Sequence, residues 1–188
     1  QKIKRTIQTI TYMPHFISVI VIVGILFQLL NPVNGLYGNL YRVFGGDGYP
    51  KDLLTIANAF PHLYVWSGIW QNLGWNSIIY IAALSSVDIE LHEAAKIDGA
   101  TRLERIHYID FPAILPTISI MLILRMGGIM SVGFEKAYLM QNNLNLVKSE
   151  VISTYVYKVG LSRSSNFSYG SAIGLFNSVI NCAMLILV

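Results

Sequence analysis

Four long apolar segments, separated by polar connections, decide what this chain can fold into. A helix needs about 20 apolar residues to cross the hydrocarbon of a bilayer, and we predict such membrane helices over residues 6–30, 66–87, 113–134 and 169–188. In the first of them, Pro14 is expected to kink or restart the helix. The composition agrees, because 54% of the residues are hydrophobic and only 12% are charged, about half the charged fraction of a soluble domain. Residues 1–188 are therefore predicted to form a single all-α membrane domain.

The charged connection between the second and third segments has the pattern of two short helices joined by a turn. Asp88 is a favourable N-cap for a helix over Ile89–Ile97. Gly99 ends that helix, because glycine adopts the positive φ that other residues avoid. Thr101 and Glu104 have the spacing of a capping box, which predicts the start of a second short helix.

Inside this connection, "EAAKIDGA" is followed nine residues later by "IDFP". The pattern resembles the EAA loop of the permease subunits of binding-protein-dependent ABC importers. The matching residues are Glu93, Ala94, Ala95, Asp98, Gly99, Ala100, Ile109 and Pro112, and Phe111 stands where the family usually has Leu. In that family the loop forms coupling helices that dock on a cytoplasmic ATPase subunit. The resemblance implies that residues 88–112 are a coupling loop whose charges face another protein.

The resemblance extends over nearly the whole chain, since "GIWQNLGWNSIIYIAALSSVD" and "SYGSAIGLFNSVIN" are similar to the LplB-type branch of permeases for complex oligosaccharides and polysaccharides. It implies a polytopic helical bundle in the bacterial plasma (inner) membrane, and a chain that lacks at least one leading helix and a C-terminal tail. It also implies a transport subunit that forms the path for a carbohydrate, expected to be an oligosaccharide. An importer for another solute, such as amino acids, has the same loop and stays open as an alternative.

The partners implied by the resemblance are cytoplasmic ATPase subunits, a second and different permease chain, an extracytoplasmic solute-binding protein and membrane lipid. ATP is expected to be used by the partner ATPase, because this chain has no G-x-x-x-x-G-K-[ST] loop. "HE" at His92 begins like a zinc-protease motif, but Lys96 occupies the position of the second His. We therefore predict no catalytic residue, metal site or bound cofactor, and a membrane-embedded enzyme is the less favoured alternative. The net charge of +3 gives no reason to expect nucleic acid.

The distribution of basic residues predicts the orientation in the membrane. The leading segment and the charged loop carry six Lys and Arg in about 35 residues: Lys2, Lys4, Arg5, Lys96, Arg102 and Arg105. The other two connections also carry six, but over about 69 residues. The higher density predicts that the loop 88–112 is cytoplasmic.

Several polar residues fall within the apolar segments and are candidates for the substrate path. Asn72, Asn76 and Tyr80 recur every four residues and share one helix face; amides and phenols hydrogen-bond sugar hydroxyls, but they also join helices. Arg125 lies about 20 Å along its predicted helix, where an arginine needs a partner or water and is a functional candidate. For Asn177, a role in the substrate path and a role in helix packing are equally expected. The predicted path residues are thus Asn72, Asn76, Tyr80, Arg125 and Asn177.

Overall fold

A computed structural model describes residues 2–162 and 166–187, and within them it contains helices and no strand. The prediction of an all-α protein is confirmed. The α-helices are α1 (Lys2–Tyr12), α2 (Val19–Leu30), α3 (Leu36–Val43), α4 (Ala59–Ser85), α5 (Ile89–Ile97), α6 (Arg102–Arg105), α7 (Phe111–Met126), α8 (Phe134–Met140), α9 (Leu146–Ser149), α10 (Ile152–Tyr157) and α11 (Phe167–Leu187). A π-helical turn, Ile106–Asp110, joins α6 to α7.

In the part of the chain that the structure describes, two helices are long and apolar enough to cross a membrane, Arg102–Met126 and Phe167–Leu187. A third span results if the bent pair Lys2–Phe16 and Val19–Leu30 is counted as one. The helix α4 has 27 residues, a length of about 40 Å. Its amide side chains leave it less apolar than the two candidate spans, so it combines the length of a membrane helix with a polar face.

The leading apolar segment, predicted over residues 6–30 with a kink or restart at Pro14, is broken a few residues later, after a short 3-10 turn over Met13–Phe16. The two parts of this segment are bent by 99° relative to each other. Ile17 has an extended backbone, with ψ 131°, and Ser18 starts a new helix because its hydroxyl accepts from the Val21 amide at 3.4 Å. The 12 residues of α2 extend about 18 Å and do not by themselves cross a 30 Å hydrocarbon layer.

The predicted bounds of two other membrane helices also differ from the structure. The third was predicted over residues 113–134, but it is continuous from Arg102 and ends at Met126, where two glycines of low helix propensity follow. The rare π-helix occurs mostly as a single turn within a longer α-helix, and here it lies just before Pro112, which has no amide hydrogen. The second was predicted over residues 66–87 and is observed as Ala59–Ser85. The last predicted helix, 169–188, matches α11 up to the final residue, which lies outside the described residues.

The buried core is small and lies between α2, α4 and α8. It contains Val23, Phe60, Ala137 and Met140. Large apolar side chains are instead mostly exposed, as at Ile20 on α2. Such an outer surface is typical of a chain that contacts lipid and other membrane helices rather than water.

The helix α1 packs across α4 at Gly74. A Cβ atom at this position would overlap the backbone carbonyl of Thr11, so only glycine allows the two backbones to approach this closely. Near the same crossing, Gln71 donates a hydrogen bond to the carbonyl oxygen of Ile17 at 3.1 Å. The bend after α1 is thus tied to α4, which places the leading helix beside the polar face of α4.

Candidate functional site

The first half of the predicted coupling loop, residues 88–112, is a capped helix that ends in a glycine turn. The Asp88 carboxylate accepts from the Glu90 amide at 3.0 Å, which confirms the predicted N-cap. Gly99 has φ +81°. The Ala100 amide donates to the Ala95 carbonyl at 2.9 Å, and the Gly99 amide donates to the Lys96 carbonyl. These two bonds form a Schellman motif, which ends α5 sharply.

The second half of the loop begins with the predicted capping box. The Thr101 amide donates to the Glu104 carboxylate at 2.7 Å, and the Glu104 amide donates to the Thr101 hydroxyl at 3.4 Å. Hydrogen bonds from the Thr101 amide and hydroxyl lower the pKa of Glu104, because they favour its charged form. The box therefore fixes the direction in which the chain leaves Gly99 and enters the long helix Arg102–Met126.

A contact between the two halves of the loop was not predicted from the sequence. The His92 Nε2 atom lies 3.3 Å from an Asp110 carboxylate oxygen, with both side chains about one quarter exposed. This pair joins α5 to the π-helical turn. No periodicity relates residues 18 positions apart on different helices, so only the folded loop reveals the pair.

The outer surface of the coupling loop is unusually apolar for a charged segment. Ile97 is 86% exposed, Leu103 78% and Tyr108 73%. Of the predicted docking residues, Glu93, Ala94, Asp98, Gly99 and Pro112 are exposed, whereas Ala95, Ala100 and Ile109 are half-buried. Exposed apolar side chains rimmed by charges are typical of a protein-interaction surface.

A cleft of about 560 Å³ lies between α4 and α7, and we call it the polar cleft for its amide and guanidinium groups, although apolar side chains also line it. Its lining residues are Tyr64, Val65, Gly68, Ile69, Asn72, Leu73, Asn76 and Arg125. The structure therefore brings together three of the predicted path residues, Asn72, Asn76 and Arg125. The Arg125 guanidinium donates to the Asn76 side-chain oxygen at 3.4 Å, which links the two walls of the cleft.

The amide of Asn72 already has protein partners on both of its polar atoms. Its nitrogen donates to the Gly68 carbonyl at 3.0 Å, and its oxygen lies 3.1 Å from the Nδ1 atom of His15. The His15 ring stacks on Trp75 with centroids 4.5 Å apart. Asn72 thus connects α4 to the segment after α1, which supports the packing alternative at this position alongside exposure to the cleft.

Two predicted path residues do not line the cleft. Tyr80 lies one helical turn beyond Asn76 and is half-buried. Asn177, on α11, has a buried side-chain oxygen without a hydrogen-bond partner among the described residues. Its neighbour Asn181 is used for packing, since it accepts from the Met130 amide at 3.2 Å.

Lys136 is a buried basic residue beside the cleft, and the sequence did not single it out. It is only 8% exposed, its ammonium donates to the Tyr64 carbonyl at 3.0 Å, and it lies over the Tyr64 ring at 4.9 Å. A Cβ atom at Gly68 would lie 3.4 Å from the ammonium nitrogen, so the charge sits against the cleft wall. Burial lowers the pKa of Lys136. Because this lysine lies in a connection beyond the apolar segment, only the packing of α8 reveals its position.

The side chains that line the cleft are groups that form hydrogen bonds and apolar contacts. Its lining provides amides, one phenol and one guanidinium, and it contains no carboxylate, imidazole or thiol. Across residues 2–162 and 166–187, no group of three His, Cys, Asp or Glu side chains is placed to hold a metal ion. Amides and a guanidinium suit a ligand rich in oxygen atoms.

Comparisons with known proteins identify what the chain is similar to. The family described as binding-protein-dependent transport system inner membrane component matches residues 2–188. The polygalacturonan/rhamnogalacturonan transport system permease protein YteP of Bacillus subtilis (strain 168) is 40% identical over 184 residues, covering 98% of this chain and 56% of that protein. Protein LplB of the same organism is 40% identical over 182 residues, covering 97% of this chain and 56% of that protein.

Solved structures agree with these sequence comparisons. A bacterial alginate ABC transporter in complex with an alginate pentasaccharide-bound periplasmic protein matches with a TM-score of 0.94 and 36% identity. The match covers 99% of this chain and 64% of that chain. This chain thus spans a little more than half the length of the two relatives from Bacillus subtilis, 56% of each.

Proposed function

This chain belongs to the family of inner membrane components of binding-protein-dependent transport systems, and we propose that it is the permease subunit of an ATP-driven ABC importer for oligosaccharides. The observation that carries this proposal is the relation between the loop and the cleft. The loop connects α4 to α7, and the same two helices contribute Asn76 and Arg125 to the cleft.

The carbohydrate assignment is supported by the cleft chemistry and by the relatives. Amide side chains and an aromatic residue line the cleft, and these groups bind hydroxyls and the apolar faces of sugar rings. Two similar proteins are named for the transport of polygalacturonan/rhamnogalacturonan and of alginate. We propose that Asn76 and Arg125 contact the substrate, with Asn72 beside them, and that Tyr80 and Asn177 extend the path elsewhere.

The coupling loop is proposed to dock on a cytoplasmic ATPase subunit. The exposed side chains of Ile97 and Leu103 provide apolar contacts, and Glu93 and Asp98 border them with negative charge. This arrangement needs the loop 88–112 on the cytoplasmic side, as the distribution of basic residues predicts. ATP is then bound and hydrolysed by the partner chain, and this chain supplies no catalytic group.

The proposed transport cycle follows from the connection between loop and cleft. A solute-binding protein delivers the oligosaccharide from outside, and a second permease chain completes the enclosure of the path. ATP binding draws the two ATPase subunits together and moves the docked loops. Because α4 and α7 leave opposite ends of the loop, this movement changes the separation of the two cleft walls and opens the path outward. Hydrolysis reverses the movement.

Reconstitution tests the proposal directly. The full-length permease, its partner permease, the ATPase subunits and the binding protein are placed in proteoliposomes, and uptake of a labelled galacturonic acid trisaccharide is measured with and without ATP. We expect uptake only with ATP and the binding protein. A transporter whose ATPase Walker lysine is replaced by alanine is the control, and it should bind but not accumulate the sugar.

The alternatives give different results in the same vesicles. Accumulation of labelled amino acids, with no accumulation of several oligosaccharides, would replace the carbohydrate assignment by the amino-acid alternative. Chemical conversion of the sugar in the absence of the ATPase subunits would favour an enzyme.

A further inference from the structure

The helix α3 exposes a large apolar face. Leu36, Leu40 and Val43 lie at i, i+4 and i+7, which places them on one side of the helix. Leu36 is 56% exposed and Val43 78%, and Phe44, which follows directly after the helix, is 85% exposed. A contiguous apolar patch of this kind usually marks a surface that contacts a membrane or another protein.

The opposite face of α3 is held by the turn that precedes the helix. A Cβ atom at Gly38 would overlap the carbonyl group of Pro32, so the two backbones are in direct contact. Arg42 donates to the Val33 carbonyl oxygen at 3.1 Å and to the Asn39 side-chain oxygen. The polar side of the helix is therefore used within the chain, and its apolar side is left for an outside partner.

Tyrosines rather than charged groups border the apolar face. Arg42 is the one charged residue of α3, and its guanidinium lies 5.8 Å from the centre of the Tyr49 ring. Tyr37 and Tyr41 line a cavity of about 420 Å³ beside this face. Protein interfaces usually have a polar or charged rim, whereas an apolar face bordered by tyrosines suits the boundary between hydrocarbon and lipid headgroups.

The position of α3 along the chain agrees with a place at the membrane surface. Only residues 31–35 separate it from α2. Phe27 on α2 is 41% exposed and Val33 in the turn 43%, so the exposed apolar surface continues from α2 onto α3. The same connection enters α4 at Ala59, whereas the coupling loop begins about 40 Å away, at the other end of α4.

We propose that α3 is an interfacial helix, which lies in the membrane surface opposite the coupling loop with its apolar face among the acyl chains of that leaflet. The inserted side chains are Leu36, Leu40, Val43 and Phe44. The occupant of this face is therefore phospholipid, not the solute-binding protein and not another segment of the permease. The assignment concerns the membrane contacts of the chain and goes beyond the proposed function, because it holds for any transported solute.

An α3 held in the membrane surface also restrains the rest of the connection 31–58. In this connection, the Leu54 carbonyl oxygen accepts from the side chains of Asn142 and Asn145, at 2.8 and 2.9 Å. Asn145 is only 1% exposed, so the contact is enclosed between the two connections. Lipid at α3 thus supports the segment from α8 to α9 as well as the helix itself.

Spin labels measure the position of this face in the membrane. Leu40→Cys, Val43→Cys and Phe44→Cys are introduced one at a time into the full-length permease of a complete transporter, in which every other cysteine, Cys182 included, is replaced by serine. In vesicles of phosphatidylethanolamine and phosphatidylglycerol, a nitroxide at each site should collide more often with oxygen, which dissolves in hydrocarbon, than with a water-soluble nickel complex. The expected depth is about 5–10 Å below the lipid phosphates.

Two reference labels calibrate the depth, and one substitution disturbs it. A label at Ile20, exposed on α2, should report hydrocarbon, and a label at Lys51, exposed after α3, should report water. Val43→Asp should move the label at Phe44 out to the water-accessible level, because a carboxylate is costly in hydrocarbon. Val147→Asp changes a similarly exposed valine on α9 and should leave the depth of that label unchanged.

Three results would overturn the inference. Nickel collisions as frequent as those at Lys51 would place the apolar face in water. Rare collisions with both reagents would show that protein covers the face. Oxygen collisions that disappear when the solute-binding protein is added would assign the face to that protein. No sugar enters the measurement, so its outcome is separate from the question of whether the transporter imports oligosaccharides.

Discussion

The coupling loop and the polar cleft are stabilised by interactions of opposite range. Within the loop, the Asp88 cap, the Gly99 turn and the Thr101–Glu104 box all join residues at most five positions apart. In the cleft, the bond from Arg125 to Asn76 joins residues 49 positions apart, and the bond from Lys136 to Tyr64 joins residues 72 positions apart. Apart from the contact of His92 with Asp110, the loop is therefore specified locally, whereas the cleft exists only once the helices have packed.

Because of this difference, we expect substitutions to have different effects in the two regions. A local substitution changes the conformation of the loop, because its direction depends on single residues. The cleft walls are long helices that keep their conformation when one side chain is changed. We expect loop variants to affect coupling between the ATPase and transport, and cleft variants to affect the substrate.

The largest effect is expected from Gly99→Val. A β-branched residue at φ +81° is strained by about 1–2 kcal/mol, so the turn relaxes and α5 changes direction relative to the long helix. Sugar uptake by reconstituted transporter should fall at least about tenfold, while ATP hydrolysis continues without transport.

Gly128→Val is the matched control, since a Cβ atom there meets no other atom within 4 Å and its φ is not positive. It should retain most of the uptake. Normal coupling in Gly99→Val would show that the direction of α5 does not depend on this turn.

Arg125→Leu should give the next largest effect and should act on the cleft alone. It removes the guanidinium that donates to Asn76 and that we propose contacts the substrate. Uptake should fall about tenfold, since a charge-assisted hydrogen bond contributes about 1.5–3 kcal/mol. Arg125→Lys should keep part of the activity, because the charge remains but the planar fork is lost. Membrane insertion and co-purification with the ATPase should be unchanged.

An uptake in Arg125→Leu equal to that of the parent would place this arginine outside the path. An arginine that faces lipid is costly, so its replacement by leucine would then improve insertion.

A smaller effect is expected from the capping box, and it should depend on pH. The pKa of Glu104 is lowered in the folded loop, so its contribution is present at neutral pH and is lost as the pH falls through the folded pKa. Hydrogen exchange of the α6 amides in Thr101→Ala should be a few-fold faster than in the parent at neutral pH. The two proteins should become more alike in acid, and an equal difference at both pH values would contradict the role of the carboxylate.

The smallest effect is expected from the pair of His92 and Asp110. A partly exposed pair contributes about 0.2–1 kcal/mol, which is enough to bias the angle between α5 and the π-helical turn. A double-mutant cycle of His92→Ala and Asp110→Ala, measured by ATPase affinity, should give a coupling energy in this range. Strictly additive effects would mean that the two halves of the loop are oriented independently.

The same contrast of range explains what the sequence could predict. The cap at Asp88, the turn at Gly99 and the box at Thr101 follow from local rules, and the structure has all three. Arg125 was identifiable because an arginine in an apolar segment is rare. Lys136 was not, because a lysine in a polar connection is ordinary until α8 packs against α4 and buries it.

Helix bounds failed where hydropathy alone was used to set them. Apolar residues continue past Met126, but Gly127 and Gly128 end the helix there. In the leading segment the break was expected at Pro14, whereas the new helix begins at the Ser18 cap and the two parts are bent by 99°. Hydropathy predicts which residues leave water, and backbone hydrogen bonding decides where each helix begins and ends.

The helix Arg102–Met126 is continuous, so a tilt at its loop end would displace its far end. Arg105 and Arg125 are 20 residues apart on one helical rod, which is roughly 30 Å. A tilt of about 10° at the loop end displaces the far end by roughly 5 Å, comparable to the spacing of one helical turn. The π-helical turn Ile106–Asp110 lies near the loop end of this helix. Bending at this point would reduce the displacement of the far end. The contact between His92 and Asp110 supports the helix at this point, and in the proposed transport cycle it would help to carry a tilt of the loop along the helix to Arg125.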